Sequence, residues 1–340
     1  MVELVCGMAD RDRWLAARRE GITATDIGVI LGLVSWDSPF ALYWRKKGKL
    51  PEVEESDQMR LGSWLEGAIK TQWAGTGGGG CWPGALYRSD QRPWQLATPD
   101  AVVLERQPMR DPEVIAVLEC KTSATKDGWG PGAMSQPLPE GELLDEWQGR
   151  VNQVPAHVRA QVLWQMDTLD VAVGHVAVVF LPSGEFRSYT ITHSHDFAYT
   201  TEICQVCMDQ KFMRDRGEIF WNRLQGSGTP PAVDGSPVTT SALRHLHAGA
   251  VKGKTAEIDP ALANNYPMAC DEFAGAKAIK AELENQIREQ MGDATLAVSP
   301  IDGEVIARRD VFKNPGYTVP PFEVDRLVRV KTKEDSNGTS

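Results

Sequence analysis

Two acidic residues and one lysine on neighbouring predicted strands are the residues of this sequence best suited to chemistry. Residues 96–103 and 114–122 are apolar runs rich in branched side chains, and the loop between them contains proline, arginine and aspartate. This pattern predicts a β-hairpin. Because side chains alternate between the faces of a strand, Glu119 and Lys121 share one face and Cys120 points into the opposite layer. Closing the hairpin brings Asp100 towards the face of Glu119 and Lys121.

Two carboxylates beside an ammonium predict a divalent-metal site. Mg²⁺ prefers oxygen ligands, and it usually takes one or two carboxylates and leaves its other positions to water and substrate phosphate. Lys121 is placed to orient or deprotonate a metal-bound water, and the set therefore favours phosphodiester hydrolysis. The pattern alone is weak evidence, because the same residues also occur at a solvated strand edge.

The helices and strands that must position these residues follow from the spacing of apolar side chains. Residues 10–32 predict two short helices, the second capped by Thr25, and residues 39–48 predict a third. The next helix covers residues 58–73 and carries Glu66 at the border of its apolar stripe, where a carboxylate is either a solvated edge or a neighbour of the hairpin. After the hairpin we expect a loop at 125–139, a helix at 155–170, strands at 171–181 and 186–192, and a helix at 196–224.

Two local patterns suggest functions that the residues do not support. The first two helices look like a helix-turn-helix, but the second of them is apolar and carries no long donors to contact bases. Residues 75–80 are rich in glycine, but no lysine with serine or threonine follows them, so a phosphate-binding loop is not predicted.

Composition excludes several classes of protein. The chain has 340 residues and a net charge of -10, which argues against non-specific coating of nucleic acid. No apolar run is long enough to span a membrane, and the first residues lack a secretory pattern. The six cysteines are scattered, as in a reduced cytosolic protein.

Four separated stretches resemble the lambda-exonuclease/YqaJ-type recombination nucleases of phages and prophages, which belong to the PD-(D/E)xK superfamily. They occur in the family's order and spacing over about residues 10–225. The four stretches are Trp14-x3-Arg18-x2-Gly21-Ile22-Thr23-Ala24-Thr25-Asp26, Gly62-x3-Glu66, Pro99-Asp100 with Glu119-Cys120-Lys121-Thr122, and Val154-Pro155-x-His157-x3-Gln161-Val162.

The resemblance implies an α/β fold with a restriction-endonuclease-like core. Its mixed central sheet would be flanked by helices, and a helical extension would follow at the C-terminus. We accordingly expect an exonuclease core over residues 1–225, a linker over 226–256 that is rich in glycine, serine, threonine and proline, and a helical and β extension over 257–340. Within that extension, the pattern over residues 260–291 predicts one or two long amphipathic helices, and residues 297–308 are expected to form a short β segment.

The resemblance also implies roles for the residues of the hairpin and the helix before it. Asp100 and Glu119 would bind the metal directly, together with the backbone carbonyl of Cys120. Glu66 would complete the site for a second ion or its waters, and Lys121 would hold and activate the attacking water.

Three further residues take their roles from the other stretches. Gln161 would form hydrogen bonds near the metal and the scissile nucleotide. Arg18 and Thr25 would bind the terminal 5′-phosphate, since a guanidinium and a hydroxyl at a helix start both suit phosphate oxygens. Arg19 competes with Arg18 for this role. Thr25 stands where the family more often has serine, a change that keeps the hydroxyl.

The function implied is a Mg²⁺-dependent 5′→3′ exonuclease, with Mn²⁺ as a substitute metal. It would degrade one strand of linear double-stranded DNA and leave 3′ single-stranded tails for recombination by strand annealing. The resemblance implies a ring-shaped homo-oligomer, a single-strand annealing protein as partner, no membrane association, and the cytoplasm of a bacterial host. A DNA channel in an acidic protein predicts basic residues along it, and the candidates are Arg11, Arg13, Arg45, Lys46 and Lys47.

Several alternatives stay open. An endonuclease would use the same metal site without a pocket for the 5′ end, and a non-catalytic DNA-end-binding subunit would keep the residues without hydrolysis. Cys204-x2-Cys207 could belong to an iron–sulfur cluster, but such relatives use four cysteines, and the spacing also fits helix packing. His193-x-His195 suggests zinc, but the ligand set is incomplete and a solvated loop explains it.

Overall fold

The protein is described from a computed structural model of the full chain. The structure describes residues 2–7, 10–105, 112–132, 153–193, 204–226, 228–249 and 253–311. The chain divides into two compact units, Met1–Ala248 and Gly249–Ser340. Every predicted site residue lies in the first unit. No helix among the described residues combines the length and the apolar character that a bilayer crossing requires.

The first unit combines helices with two β-sheets. Its strands are β1 (Val2–Gly7), β2 (Cys81–Pro83), β3 (Ala85–Ser89), β4 (Leu96–Ala97), β5 (Ala101–Leu104), β6 (Val114–Ser123), β7 (Val173–Phe180) and β8 (Glu185–Thr192). Its helices are α1 (Arg11–Arg19), α2 (Ala24–Ile30), α3 (Pro39–Lys46), α4 (Asp57–Trp73), α5 (Ala156–Leu169), α6 (Gln205–Leu224) and α7 (Pro237–Leu246), with a π-helical turn at Ala74–Gly78 after α4.

The larger sheet is mixed and has the order β2-β5-β6-β7-β8. Strands β6 and β7 are parallel, and the other neighbours are antiparallel. One face of β6 packs in the main core with α5, through Val117 and Val162 among others, and the other face packs against α4, where Leu118 meets Ile69 and Trp73. The predicted mixed sheet between helices is therefore confirmed.

The predicted hairpin divides between the two sheets. Residues 101–104 pair with β6 as expected, with Ala101 opposite Leu118. Residues 96–97, however, pair with β3 in a separate three-stranded sheet of order β1-β3-β4. The backbone between the sheets is tightly packed: the amide of Gly84 donates to the carbonyl of Asp100 at 3.1 Å, and a Cβ added to Gly84 would lie 1.7 Å from the carbonyl oxygen of Pro99. Asp100 therefore occupies the crossing point from one sheet to the other.

The start of α2 differs from the prediction. Thr23, not Thr25, is the N-cap: its hydroxyl accepts from the amide of Asp26 at 3.3 Å, and the Asp26 carboxylate accepts from the amide of Thr23 at 2.8 Å. This reciprocal pair satisfies two amides that the helix itself leaves open. Thr25 is left exposed in the first turn, with its hydroxyl not used by the cap.

Part of the segment predicted as a linker is folded onto the first unit. Residues 237–246 form α7, whose Ala242 is buried against Phe40 and Ala41 of α3. The hydroxyl of Thr239 donates to that of Ser38 at 2.8 Å. The first unit consequently extends to Ala248, which differs from the expected core over 1–225 and linker over 226–256.

The second unit contains a long helix and a short hairpin. Helix α8 covers Pro260–Met291, and β9 (Leu296–Val298) pairs antiparallel with β10 (Val305–Arg308), as the sequence predicts for 260–291 and 297–308. Three other expectations reach outside the described residues: the loop at 133–139, the first part of the 196–224 helix, and residues 312–340.

Candidate metal-dependent active site

Glu119 is the buried centre of the candidate site. It lies on β6, and only 2% of the residue is exposed. Its Oε1 accepts from the ammonium of Lys121 at 2.6 Å and from the side-chain amide of Gln161, and its Oε2 accepts from the amide of Gln165 at 2.7 Å. A carboxylate buried on a strand is stable only when its oxygens are paired, and here three side chains provide that pairing.

Lys121 lies on the same face of β6 as Glu119, as strand alternation predicts. Its Nζ also donates to Oε1 of Gln161 at 3.0 Å. Burial disfavours the ammonium, but the charges of Glu119 and Asp100 outweigh it, so the pKa of Lys121 lies above its usual value. The side chain is therefore an ammonium at neutral pH, a donor that orients water and stabilises negative charge.

Asp100 approaches the site from the sheet crossing. Its Oδ2 accepts from the backbone amide of Cys120 at 2.7 Å, which fixes the carboxylate beside β6. Burial and then the charge of Glu119 raise the pKa of Asp100 well above its usual value, with Lys121 partly opposing them. Two neighbouring buried carboxylates form a pair that a bound cation would stabilise.

Cys120 points away from Glu119 and packs beside the buried cluster that contains Ile69 and Trp73 of α4. Burial, reinforced by the charges of Asp100 and Glu119, raises the pKa of the Cys120 thiol. A neutral thiol is a poor metal ligand, so a contribution from this residue comes through its backbone. That its carbonyl binds metal stays a prediction.

Glu66 reaches this region from α4, as the resemblance implies, but with a partner that sequence reasoning missed. Its carboxylate pairs with Lys70, one turn later, at 2.6 Å, and the Lys70 ammonium lies 3.4 Å from the carbonyl oxygen of Asp100. Burial lowers the pKa of Lys70, but the hydrogen bond and charge of Glu66 more than offset it. The spacing of four on one helix was a signal for this pair.

Gln165 is a second residue that sequence reasoning missed. It is fully buried, and its amide supports the oxygen of Glu119 that Lys121 and Gln161 do not contact. It follows Gln161 by one helical turn on α5, so both glutamines face β6. The repeat Gln-x3-Gln was visible in the sequence, but only the orientation of α5 gives it meaning.

The structure distinguishes the two arginines at the end of α1. Arg19 forms an ion pair with Glu52 at 2.6 Å. Arg18 instead lies over the indole of Trp14, 4.3 Å from the ring centroid, and burial lowers its pKa. The indole N–H of Trp14 donates to the hydroxyl of Thr98 at 3.3 Å. Arg18 is thus connected through one ring to the segment that carries Asp100.

Three of the five basic residues expected along a DNA channel are engaged inside the fold. Arg45 pairs with Asp37 at 2.7 Å, and Lys46 pairs with the buried Asp26 at 2.8 Å. Lys47 donates to the carbonyl of Leu224 at 2.6 Å. These contacts connect α3 to the loop before it, to α2 and to the end of α6. That these residues line a DNA channel stays a prediction. Arg11 and Arg13 lie on the exposed face of α1.

The donor set fits a hard divalent cation. Carboxylates of Asp100 and Glu119 converge beside β6, with Glu66 near enough to raise the pKa of Asp100. Oxygen donors of this kind suit Mg²⁺ and Mn²⁺, and the repulsion among them is what a bound cation would relieve.

Comparison with known proteins agrees with the four sequence stretches. Residues 13–171 match the family described as the YqaJ-like viral recombinase domain, a span that contains every predicted site residue and Gln165. The chain is 27% identical over 292 residues to the uncharacterized protein YqaJ of Bacillus subtilis (strain 168), covering 84% of this chain and 79% of that protein.

Two solved structures are also similar to this chain. An alkaline exonuclease from Laribacter hongkongensis is 12% identical, and the match covers 63% of this chain and 92% of that one with a TM-score of 0.40. A phage-related exonuclease from Haemophilus somnus 129PT is 12% identical, with 60% and 94% covered and a TM-score of 0.39.

Proposed function

Because residues 13–171 match the YqaJ-like viral recombinase domain, we propose that this protein is a Mg²⁺-dependent 5′→3′ exonuclease on linear double-stranded DNA. It leaves 3′ single-stranded tails for recombination by strand annealing. The observation that carries the proposal is the convergence of Asp100, Glu119, Lys121 and Gln161 beside β6, the central strand of the mixed sheet.

Asp100 and Glu119 would hold the divalent ion, with the carbonyl of Cys120 as a further ligand and Glu66 supporting a second ion or its waters. Bound there, a divalent cation supplies a water of lowered pKa and stabilises charge on the phosphate. Mn²⁺ substitutes for Mg²⁺ because both prefer oxygen ligands.

The other residues position water and substrate. The Lys121 ammonium, held between Glu119 and Gln161, donates to the attacking water and stabilises the charge that develops on phosphate oxygens. Gln161 fixes the orientation of both neighbours and presents its amide near the scissile nucleotide. Neither side chain is a base, because Lys121 is an ammonium at neutral pH and Gln161 is an amide. The proton of the attacking water would therefore pass to solvent.

A pocket for the terminal 5′-phosphate would give the enzyme its polarity. Arg18 and the exposed hydroxyl of Thr25 are the two donors, and the pairing of Arg19 with Glu52 favours Arg18 over its neighbour. An arginine stacked on an indole keeps its planar donor edge available for phosphate. We further propose a ring-shaped homo-oligomer, a single-strand annealing partner and action in the cytoplasm of a bacterial host.

The test uses linear duplex DNA labelled at one end and carrying either a 5′-phosphate or a 5′-hydroxyl. Mononucleotide release is measured in Mg²⁺ and in EDTA. We expect release in Mg²⁺ from 5′-phosphate ends, none in EDTA, and a loss of at least about 100-fold in Lys121→Ala. The exposed Lys211, paired with Asp215 on α6, provides the matched control Lys211→Ala.

The same substrates test the end pocket. Arg18→Ala should abolish the preference for a 5′-phosphate, whereas Arg19→Ala should keep it. Cleavage of closed circular duplex by the wild type would instead establish the endonuclease alternative, and binding of ends without any cleavage would establish the non-catalytic subunit.

A further inference from the structure

A second group of metal-ligating side chains lies outside the carboxylate site and outside the matched residues 13–171. It consists of His193, Cys204 and Cys207. One ligand atom from each residue lies within 4.8 Å of those from the other two, and Nδ1 of His193 is 3.3 Å from Sγ of Cys207. The cluster joins the end of β8 to the first turn of α6.

The local structure explains why the two sulfurs meet. Cys204 is the N-cap residue of α6 and Cys207 lies in its first turn, so a spacing of three places both side chains on the same side of the helix. Cys204 is buried, and its carbonyl accepts from the amide of Met208 at 3.1 Å, which fixes the turn. Burial, reinforced by the neighbouring Cys204, raises the pKa of the Cys207 thiol, so a bound cation must displace its proton.

His193 is brought to the sulfurs by the sheet. It directly follows β8, and its amide donates to the carbonyl of Ala172 at 3.0 Å, so the backbone continues the strand for one more residue. In the sequence, His193-x-His195 lies near Cys204-x2-Cys207, but the ligand set is incomplete and does not by itself predict zinc. The fold supplies the missing connection. His195, the other histidine of that motif, lies outside the described residues.

We propose that His193, Cys204 and Cys207 bind a zinc ion that ties the end of β8 to the start of α6. Zinc prefers sulfur and imidazole nitrogen at about 2.3 and 2.0 Å, and tetrahedral geometry then separates the ligand atoms by about 3.6–3.8 Å. The ligand atoms of the three residues lie within 4.8 Å of one another, so side-chain movements of about 1 Å bring them to the separations of a tetrahedral site. Binding converts two thiols to thiolates and releases two protons, and solvent takes the fourth position.

The zinc site would support catalysis by stabilising the packing of α6 against α5. Helix α6 holds α5 through the pair of Arg214 with Asp167 at 2.5 Å and the pair of Arg159 with Asp209. Helix α5 carries Gln161 and Gln165, which contact Glu119. Zinc at the start of α6 therefore stabilises the layer from which the two glutamines reach the carboxylates, without contact with DNA or the catalytic ion.

The test is metal analysis of the full-length protein purified without chelator from zinc-supplemented cells. We expect one zinc per chain by mass spectrometry of the metal, lost in Cys204→Ser with Cys207→Ser and in His193→Gln. Cys270→Ser, a cysteine on α8 outside the cluster, is the matched control and should keep the zinc. Asp100→Asn should also keep it, which separates this ion from any zinc on the carboxylates.

Two measurements on the wild type hold even if a variant fails to fold. Co²⁺ in place of zinc should give a thiolate charge-transfer band. A mercurial reagent should release zinc as it titrates the cysteine thiols, and the loss of zinc should lower the Tm by several degrees. A wild type that contains no zinc and shows no such band with Co²⁺ would overturn the proposal. So would a disulfide between the two cysteines in freshly purified protein, or zinc that is lost in Asp100→Asn and kept in the cysteine variants.

Discussion

Gln165 is a positioning residue for Glu119, because its side-chain amide donates to Oε2 of Glu119. Within the described residues, the side-chain oxygen of Gln165 itself accepts no hydrogen bond. Hydrogen bonds to a metal ligand typically change metal affinity or activity by about 10–100-fold. We expect Gln165→Ala to lower nuclease activity by about that factor and to raise the Mn²⁺ concentration required for half-maximal activity. The measurement is a metal titration of nucleotide release.

Gln210→Ala is the matched control for this prediction. Gln210 is equally a buried glutamine, on α6, but its amide donates to the carbonyl of Leu163 and not to a site residue. It should lose stability without a change in the metal requirement. Equal metal titrations for both variants would assign Gln165 to packing alone.

Asp100 should be a source of instability when no metal is bound. Its pKa is raised in the folded protein by burial and by Glu119, so the folded state is penalised at any pH above the carboxyl's unfolded value of about 4. We expect Asp100→Asn to raise the Tm in EDTA at neutral pH, corresponding to about 1 kcal/mol, and to lose this advantage near pH 4. Thermal unfolding at the two pH values measures it.

Adding Mg²⁺ should reverse the order of the two proteins. The wild type gains stability from binding, and the variant does not. Asp215→Asn, at an exposed ion pair with Lys211, should change the Tm little in either condition. A lower Tm for Asp100→Asn in EDTA would show that the hydrogen bond from Cys120 outweighs the repulsion.

Among the elements, α7 is the one whose role most differs from the expectation. Ala242 packs against Phe40 and Ala41, so a charged side chain there must be buried or must displace the helix. We expect Ala242→Asp to lower the free energy of unfolding by about 2–4 kcal/mol in chemical denaturation. Ser241→Asp, on the exposed face of the same helix, should change it by less than about 0.5 kcal/mol. If Ala242→Asp left the free energy of unfolding unchanged, α7 would not stabilise the first unit.

The sequence predicted helices and strands well where the spacing of apolar side chains fitted only one of the two. The alternation through Glu119, Cys120 and Lys121 assigned each side chain to its face, and the apolar stripes located α4, α5 and α8 to within a few residues. Residues 226–256 were predicted to be a linker because they are rich in proline and serine, but these residue types also occur at helix starts. Here Ser236 caps α7 and Pro237 begins it, and only the partner surface on α3 makes this short helix stable.

Contacts between distant segments account for what the sequence left unpredicted at the site. Thr23 and Thr25 are both plausible helix caps by local chemistry, and the carboxylate of Asp26 selects Thr23. The passage of residues 96–104 between two sheets depends on β3, which pairs with residues 96–97. Local propensity contains no information about such a pairing. The pairing of the strand that follows Asp100 with the strand that carries Glu119 was nevertheless correctly predicted.

At the scale of the whole molecule, every residue proposed for catalysis lies in the unit that ends at Ala248. We expect a chain shortened after Ala248 to fold and to hydrolyse short duplexes in Mg²⁺ at a rate within about 10-fold of the full chain. A chain shortened after Gln225 lacks α7 and should unfold at a lower temperature. Calorimetry and nucleotide release measure the two effects. An inactive but folded chain ending at Ala248 would show that the second unit takes part in hydrolysis.

The close approach of Gly84 to Pro99 has a consequence for how genomes are searched for active relatives. Replacing Gly84 with alanine leaves intact all four sequence stretches that resemble the family. The added Cβ has no room, however, and would force the carbonyl of Pro99 to move. A homologue with alanine there would therefore keep every motif residue, while the carboxylate that corresponds to Asp100, the proposed metal ligand, is displaced. Surveys for active relatives should inspect this glycine along with the acidic residues.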